Sequence, residues 1–168
     1  MASDELFPVV NDRGDVVGSA TRTFCHNGSK TLHPVVHLHI LNARGELFLQ
    51  QRSMSKDIQP GKWDTGVGGH IDYGELPIEA LHREAREELG VELFTPKLLQ
   101  RYIFESEVER EMVYVFMTSY DGKITIDPIE LSDGRFWSRS EIEQNIGEGL
   151  FTPNFESEYR RLGEDLFK

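Results

Sequence analysis

Glutamates Glu84, Glu87 and Glu88 stand three and four residues apart, interleaved with arginines Arg83 and Arg86. On a helix that spacing stacks side chains on one face. Like charges so placed repel, so the cluster as written opposes its own helix. Arg83 is one offsetting partner, a turn away from both Glu79 and Glu87. A divalent cation is the stronger one. Hard Mg²⁺ or Mn²⁺ prefers carboxylate oxygens and shares its remaining positions with water and substrate phosphates. The bland alternative is a solvated acidic face laced with i,i+4 pairs. A glycine-rich turn, Gly66-Val67-Gly68-Gly69, lies just before these acids.

The elements that must position this cluster follow from pattern. Residues Pro77 to Leu89 read as a helix, with Pro77 in its first turn and Gly90 as its stop. At ~100° per residue, Ile78, Leu81, Ala85 and Leu89 form its core stripe. Two short strands flank the turn Asn11-Asp12-Arg13-Gly14. "HPVVHLHILNARGELFLQQRS" reads as a hairpin turning at Asn42-Ala43-Arg44-Gly45, with Val36, Leu38 and Ile40 on one face. "SKDIQPGKWDTGVGG" reads as a loop with a short strand near Trp63. "KLLQRYIFESE" and "REMVYVFMTSYDG" are two more strands. "SRSEIEQNIG" is a serine-capped helix, and a C-terminal helix starts at Thr152-Pro153. Strands and helices mix without regular βαβ alternation, which predicts an α+β layered domain.

The 168 residues suffice for one core and read as a single domain, residues 1–168. No apolar run approaches the ~18 residues of a membrane span. The acidic start, "MASDELFPVVNDRGD", lacks the pattern of a secretory leader. The lone Cys25 suits a reducing compartment, so a cytoplasmic location is expected. It reads as a buried bystander. A net charge of -11 argues against a surface that coats nucleic acid. An anionic small molecule would need a metal or a local basic patch to draw it in.

The spacing is particular: Gly69, five residues, Glu75, seven residues, then "REAREELGV". It resembles the Nudix box, spanning residues 69–91, with every fixed position met. The resemblance implies an α/β/α sandwich with a mixed central sheet. It also implies metal-dependent hydrolysis of a nucleoside diphosphate linked to another group, a small-molecule diphosphate. Glu84, Glu87 and Glu88 would then be metal ligands, the Gly69 carbonyl a further ligand, and Arg83 the group orienting the acids.

Beyond the box the chain resembles the branch of this family that includes type I isopentenyl-diphosphate isomerase. "HNGSKTLHPVV" carries His26 and His33, His70 follows the box glycine, and "VEREMVYVF" carries Glu109 and Glu111. That pattern implies a second metal site, for which Mn²⁺ or Zn²⁺ suits the imidazole ligands. "QRSMSKDIQPGKW" resembles the diphosphate loop, which makes Arg52 and Lys56 the basic contacts. His37 and His39 have no counterpart and read as half-buried strand residues. Trp63, Phe104 and Tyr114 are candidates to stack a base, although aromatics at strand spacing are more often core.

The isomerase pattern needs a cysteine where this chain has Gly68 in "GVGGH", and has an arginine where this chain has Glu84. Both departures point to hydrolysis. The expected reaction is in-line attack of water on one phosphorus, with Mg²⁺ held by the box acids and a glutamate taking the proton. The box acids, Glu109 and Glu111 all stay open as that base. The alternatives are the isomerase itself and a non-catalytic nucleotide-diphosphate sensor. A homodimer also stays open.

Overall fold

A computed structural model describes residues 4–167. Strands β1 (Leu6–Val10) and β2 (Val16–Thr21) pair antiparallel as a separate two-stranded ribbon. Asn11 closes their turn, its side-chain oxygen accepting from the Arg13 and Asp15 amides. The short helix α1 (Arg22–Cys25) follows.

The main sheet is built on β3 (Leu32–Leu41), the two-residue-period segment that alternates across both layers of core. It pairs in parallel with β8 (Arg110–Ser119), and β8 pairs antiparallel with β7 (Lys97–Glu105). On the other side lie β4 (Leu47–Arg52), β5 (Trp63–Thr65) and β9 (Leu131–Trp137). The expected hairpin forms only at its turn. β3 meets β4 at Leu41 and Leu47 and then diverges, and β6 (Val67–His70) pairs with β3 in the opening. That split in the sheet is where the acids and histidines gather.

Three helices cover the two faces. Helix α2 (Pro77–Leu89) has the predicted bounds, and Gly90 caps it in the left-handed region at φ 65°. It packs on Val36, Leu38, Ile40 and Phe48. Helices α3 (Arg139–Asn145) and α4 (Pro153–Leu162) cover the opposite face over Val35, Leu49, Val113 and Val115. Ser138 and Thr152 cap them as expected, accepting from Glu141 N at 3.1 Å and Phe155 N at 3.1 Å. The result is an α/β/α sandwich on a mixed sheet.

Four readings need correction. Ile78 is 38% exposed, and Ala80 joins Leu81, Ala85 and Leu89 in the buried stripe. β9 was not anticipated, because "LSDGRFW" alternates exposed and buried residues around Gly134 without a long apolar run. Trp63 is core, packed edge-on against Trp137 with ring centroids 5.2 Å apart, so it stacks no base. His39 is fully buried rather than half-buried.

Candidate metal and diphosphate site

β6 places its residues by simple alternation. Gly69 faces α2, and the Glu84 carboxyl group packs directly on its Cα, where any side chain would collide. Gly68 and His70 face the other layer, in register with His37 and Val35. Arg83 ties the turn to the helix. It donates to Glu75 at 2.8 Å and 2.9 Å, to Glu84 at 2.7 Å and to the His70 carbonyl at 3.0 Å, and lies 3.6 Å from Glu87. Hydrogen bonding to Glu75, then to Glu84, raises the Arg83 pKa further. Glu79 is not among its partners; it accepts from the Leu76 amide at 2.8 Å and so opens the helix.

Glu88 is half-buried. Burial pushes its pKa well above the usual carboxylate range, and the Glu84 charge adds to that. Burial also raises Glu84, against the pull of Arg83. Gln50 approaches Glu88 at 3.5 Å, but no cationic side chain pairs with it among the described residues. Two desolvated acids side by side with one arginine between them are short of positive charge. This donor set is of the kind a hard divalent ion takes, and Glu87 is the more exposed of the three box acids, its side chain 57% exposed.

The second predicted set also assembles. Helix α1 delivers His26 as its C-cap residue, β3 delivers His33, β6 delivers His70, and β8 delivers Glu111 opposite His33. One ligand atom from each of these four lies within 4.8 Å of the others. His26 Nε2 is 3.2 Å from His70 Nε2, and Glu111 Oε2 is 3.8 Å and 3.7 Å from the Nε2 atoms of His33 and His70. Glu109 stands at the edge, 3.2 Å from His26 and outside the four-residue group. Among the described residues no other set of three or more such side chains gathers so tightly, the box acids included.

The chemistry of this cluster favours a cation. His33 is 0% exposed, its Nδ1 donates to the Thr31 carbonyl at 2.9 Å, and its Nε2 has no hydrogen-bond partner among the described residues. With Nδ1 holding the proton, Nε2 aims a bare lone pair at the centre of the cluster. Burial lowers the pKa of all three histidines, His70 to about 2, and raises Glu111 to about 7 and Glu109 in the same direction. Neutral imidazole is the form that ligates metal. His33→Ala is therefore expected to weaken Mn²⁺ or Zn²⁺ binding by a factor on the order of 10 or more. Calorimetric titration of both proteins checks this, and Mg²⁺ binding at the box should be unchanged. Equal Zn²⁺ and Mn²⁺ affinity in the variant would remove the cluster from consideration as a metal site.

Sequence reasoning missed two contributors. Phe7, fully buried, lays its ring on His70 at 4.5 Å and 2°, forming an apolar roof over the cluster. Arg22 lines the cavity and is paired with Glu5 at 3.4 Å. Nothing local in "ELFPVV" or "ATRTFC" signals these roles; they arise because the ribbon folds against β3.

Both clusters open into one cavity of about 470 Å³. Arg52 and Lys56 also line it. Arg52 donates to the Ile58 carbonyl at 3.0 Å and Lys56 pairs with Glu130 at 2.7 Å. Val35 and Leu131 are the apolar side chains among its lining residues. Phe104 and Tyr114 do not line it.

Comparison with known proteins bears on the family and the fold. The NUDIX domain profile matches residues 31–155. A Nudix hydrolase of Deinococcus radiodurans is 42% identical over 151 residues, covering 88% of this chain and 86% of that protein. An isopentenyl-diphosphate Delta-isomerase of Photorhabdus laumondii is 28% identical over 167 residues, covering 95% of each. The crystal structure of DR0079 from Deinococcus radiodurans superposes with a TM-score of 0.80 at 28% identity, covering 94% of this chain and 98% of that one. With the whole box in place on the matching fold, the chain belongs to the NUDIX domain family and is a Nudix-type hydrolase, from a branch that resembles isopentenyl-diphosphate isomerase.

Proposed function

We propose that this protein hydrolyses the diphosphate linkage of a small nucleoside diphosphate derivative, using a divalent ion held at Glu84 and Glu88. The observation that carries this reading is the half-buried pair of carboxylates Glu84 and Glu88 beside the Gly69 turn, with Arg83 paired to Glu84 alone of the two, lining one cavity together with Arg52 and Lys56.

When bound, Mg²⁺ or Mn²⁺ supplies neutralisation of the diphosphate charge and acidification of the attacking water. The chain's own groups do the rest. Arg52 and Lys56 hold the outer phosphate and offset the net charge of -11. Arg83, locked to Glu75 and the His70 carbonyl, fixes Glu84 against the glycine turn. A glutamate accepts the proton of the water that attacks phosphorus in line. The box acids, Glu109 and Glu111 all stay open as that base.

The lining disfavours a prenyl substrate, because an aliphatic tail finds only Val35 and Leu131 to lie against. Gly68 offers no acid, although a side chain there would fit, its Cβ meeting His37 at an ordinary 3.6 Å. Isopentenyl diphosphate is therefore expected to persist unchanged with the pure protein. The deciding experiment is a panel of nucleoside diphosphates, triphosphates, dinucleotides, sugar nucleotides and prenyl diphosphates with Mg²⁺, read as phosphate release and by product identity. Release from a nucleotide that stops with EDTA supports the proposal. Formation of dimethylallyl diphosphate, or no turnover of any nucleotide, overturns it.

A further inference from the structure

His37 has no role in the site described so far, yet it lines the same cavity. Its Nδ1 lies 2.8 Å from Glu158 Oε1, on α4. Glu158 is 0% exposed, an unusual place for a carboxylate. It is held by three groups: His37, His39 Nε2 at 2.6 Å, and the Tyr102 hydroxyl at 2.6 Å. An ionised Glu158 accepts from all three, so His37 carries its Nδ1 proton toward α4. The ring's other nitrogen then points the opposite way. His37 Nε2 has no hydrogen-bond partner among the described residues, and the ring faces Gly68 across the β3–β6 pair. A side chain at position 68 would place its Cβ 4.0 Å from that nitrogen. Glycine leaves the volume to a ligand.

A buried carboxylate needs a compensating positive charge close by. Glu158 meets two imidazoles and a phenol, while Asp64 and Glu111 also act on His37 from β5 and β8. That surround is acidic and favours the imidazolium, with a proton on Nε2 as well as Nδ1. Burial alone would lower the His37 pKa; the charge and hydrogen bond of Glu158 outweigh it and raise the value to about 9.

We propose that His37 is a substrate-binding residue, its Nε2–H donating to a non-bridging phosphate oxygen in the space left open by Gly68, with Glu158 as the residue that orients the ring. The inference deepens the diphosphate-hydrolase reading and rests on it for the identity of the anion. It gives the cavity a further donor beside Arg52 and Lys56, which also line it.

The probe is imidodiphosphate, a diphosphate whose bridging nitrogen resists hydrolysis, added with Mg²⁺ and followed by calorimetry. His37→Asn keeps a donor toward Glu158 and has nothing that reaches the cavity. It is expected to bind the probe more weakly by a factor on the order of 10 or more, the loss of a hydrogen bond to a charged group. His37→Gln, whose amide nitrogen reaches the position of Nε2, should recover part of that loss. In the wild-type protein the His37 ring nitrogen resonances should shift when the probe is added, a change that a purely structural histidine would not show. The proposal is overturned if both variants bind within about twofold of wild type, or if the probe binds and the His37 resonances stay fixed. Should His37→Asn not fold, His37→Gln and the resonances decide. These readouts need no turnover, so a protein that binds the probe through His37 but hydrolyses nothing would sink the hydrolase reading alone.

Discussion

Glu88→Gln is expected to lower kcat for diphosphate hydrolysis by a factor on the order of 10² or more, the usual scale for removing a charge that holds an ion against a developing anion. The substitution keeps the shape of the side chain and leaves an acceptor for the backbone N–H of Gly68, whose bond favours the carboxylate. What it removes is one carboxyl group from a pair served by a single arginine, Arg83, which bonds Glu84. Metal-free protein should therefore gain rather than lose: with Glu84 no longer facing a second buried acid, the Tm in EDTA should equal or exceed that of wild type. The two effects have opposite signs, and that separates a functional carboxylate from a structural one. Site residues kept at the expense of stability are expected where activity depends on strain. Steady-state kinetics with Mg²⁺ and thermal melts in EDTA test both halves. A variant that melts well below wild type and retains its kcat would show that Glu88 serves the fold.

Glu158→Gln tests the opposite kind of buried charge, one already satisfied. His37, His39 and Tyr102 all converge on this carboxylate. Burial alone would raise its pKa, but the charge and hydrogen bond of His37, with His39 behind, draw it well below the usual range. An amide can accept only at its oxygen, so donors are stranded and the His37 imidazolium loses its partner. Breaking a buried pair costs about 3–5 kcal/mol, and the retained acceptor puts this variant at the lower end. For a chain of this length that corresponds to a Tm drop on the order of 10 °C. The pH dependence carries a sign. The His37 pKa is raised from 6.5 to about 9, so its contribution is fully present below 6.5 and is lost as pH rises through about 9. The gap in Tm between wild type and Glu158→Gln should therefore be wide at pH 6 to 7 and narrow toward pH 10. Melting curves at both ends check this, and a gap that does not change with pH would mean that His37 is neutral in the folded protein.

Much of the helical part of this protein is written locally. Pro77, Gly90, Ser138, Thr152 and Pro153 set helix ends through backbone geometry and side-chain caps, and the observed bounds follow them. Such signals act within one turn and need no partner. The strands are less legible. β3 and β4 look like an ordinary hairpin in the sequence, because alternation reports which face a residue takes and not which strand lies beside it. The insertion of β6 brings Gly69 against α2, with Glu84 seated where a side chain would otherwise be. β9 depends on pairing with β4.

The same division runs through the site. The sequence by itself determined the acid spacing and the arginine between the acids, since i,i+3 and i,i+4 periodicity is a local property, while the histidines and glutamates that could share an ion were implied by the resemblance to the isomerase branch. Only the tertiary structure decided that His26, His33, His70 and Glu111 meet while Glu109 stays at the edge. It alone seated Phe7 over His70, and it alone turned His37 toward Glu158, 121 residues further along the chain. The physical reason is desolvation. Whether a carboxylate or an imidazole holds its proton depends on the atoms that exclude water from it, and those atoms come from β1, β8 and α4, which only folding brings together.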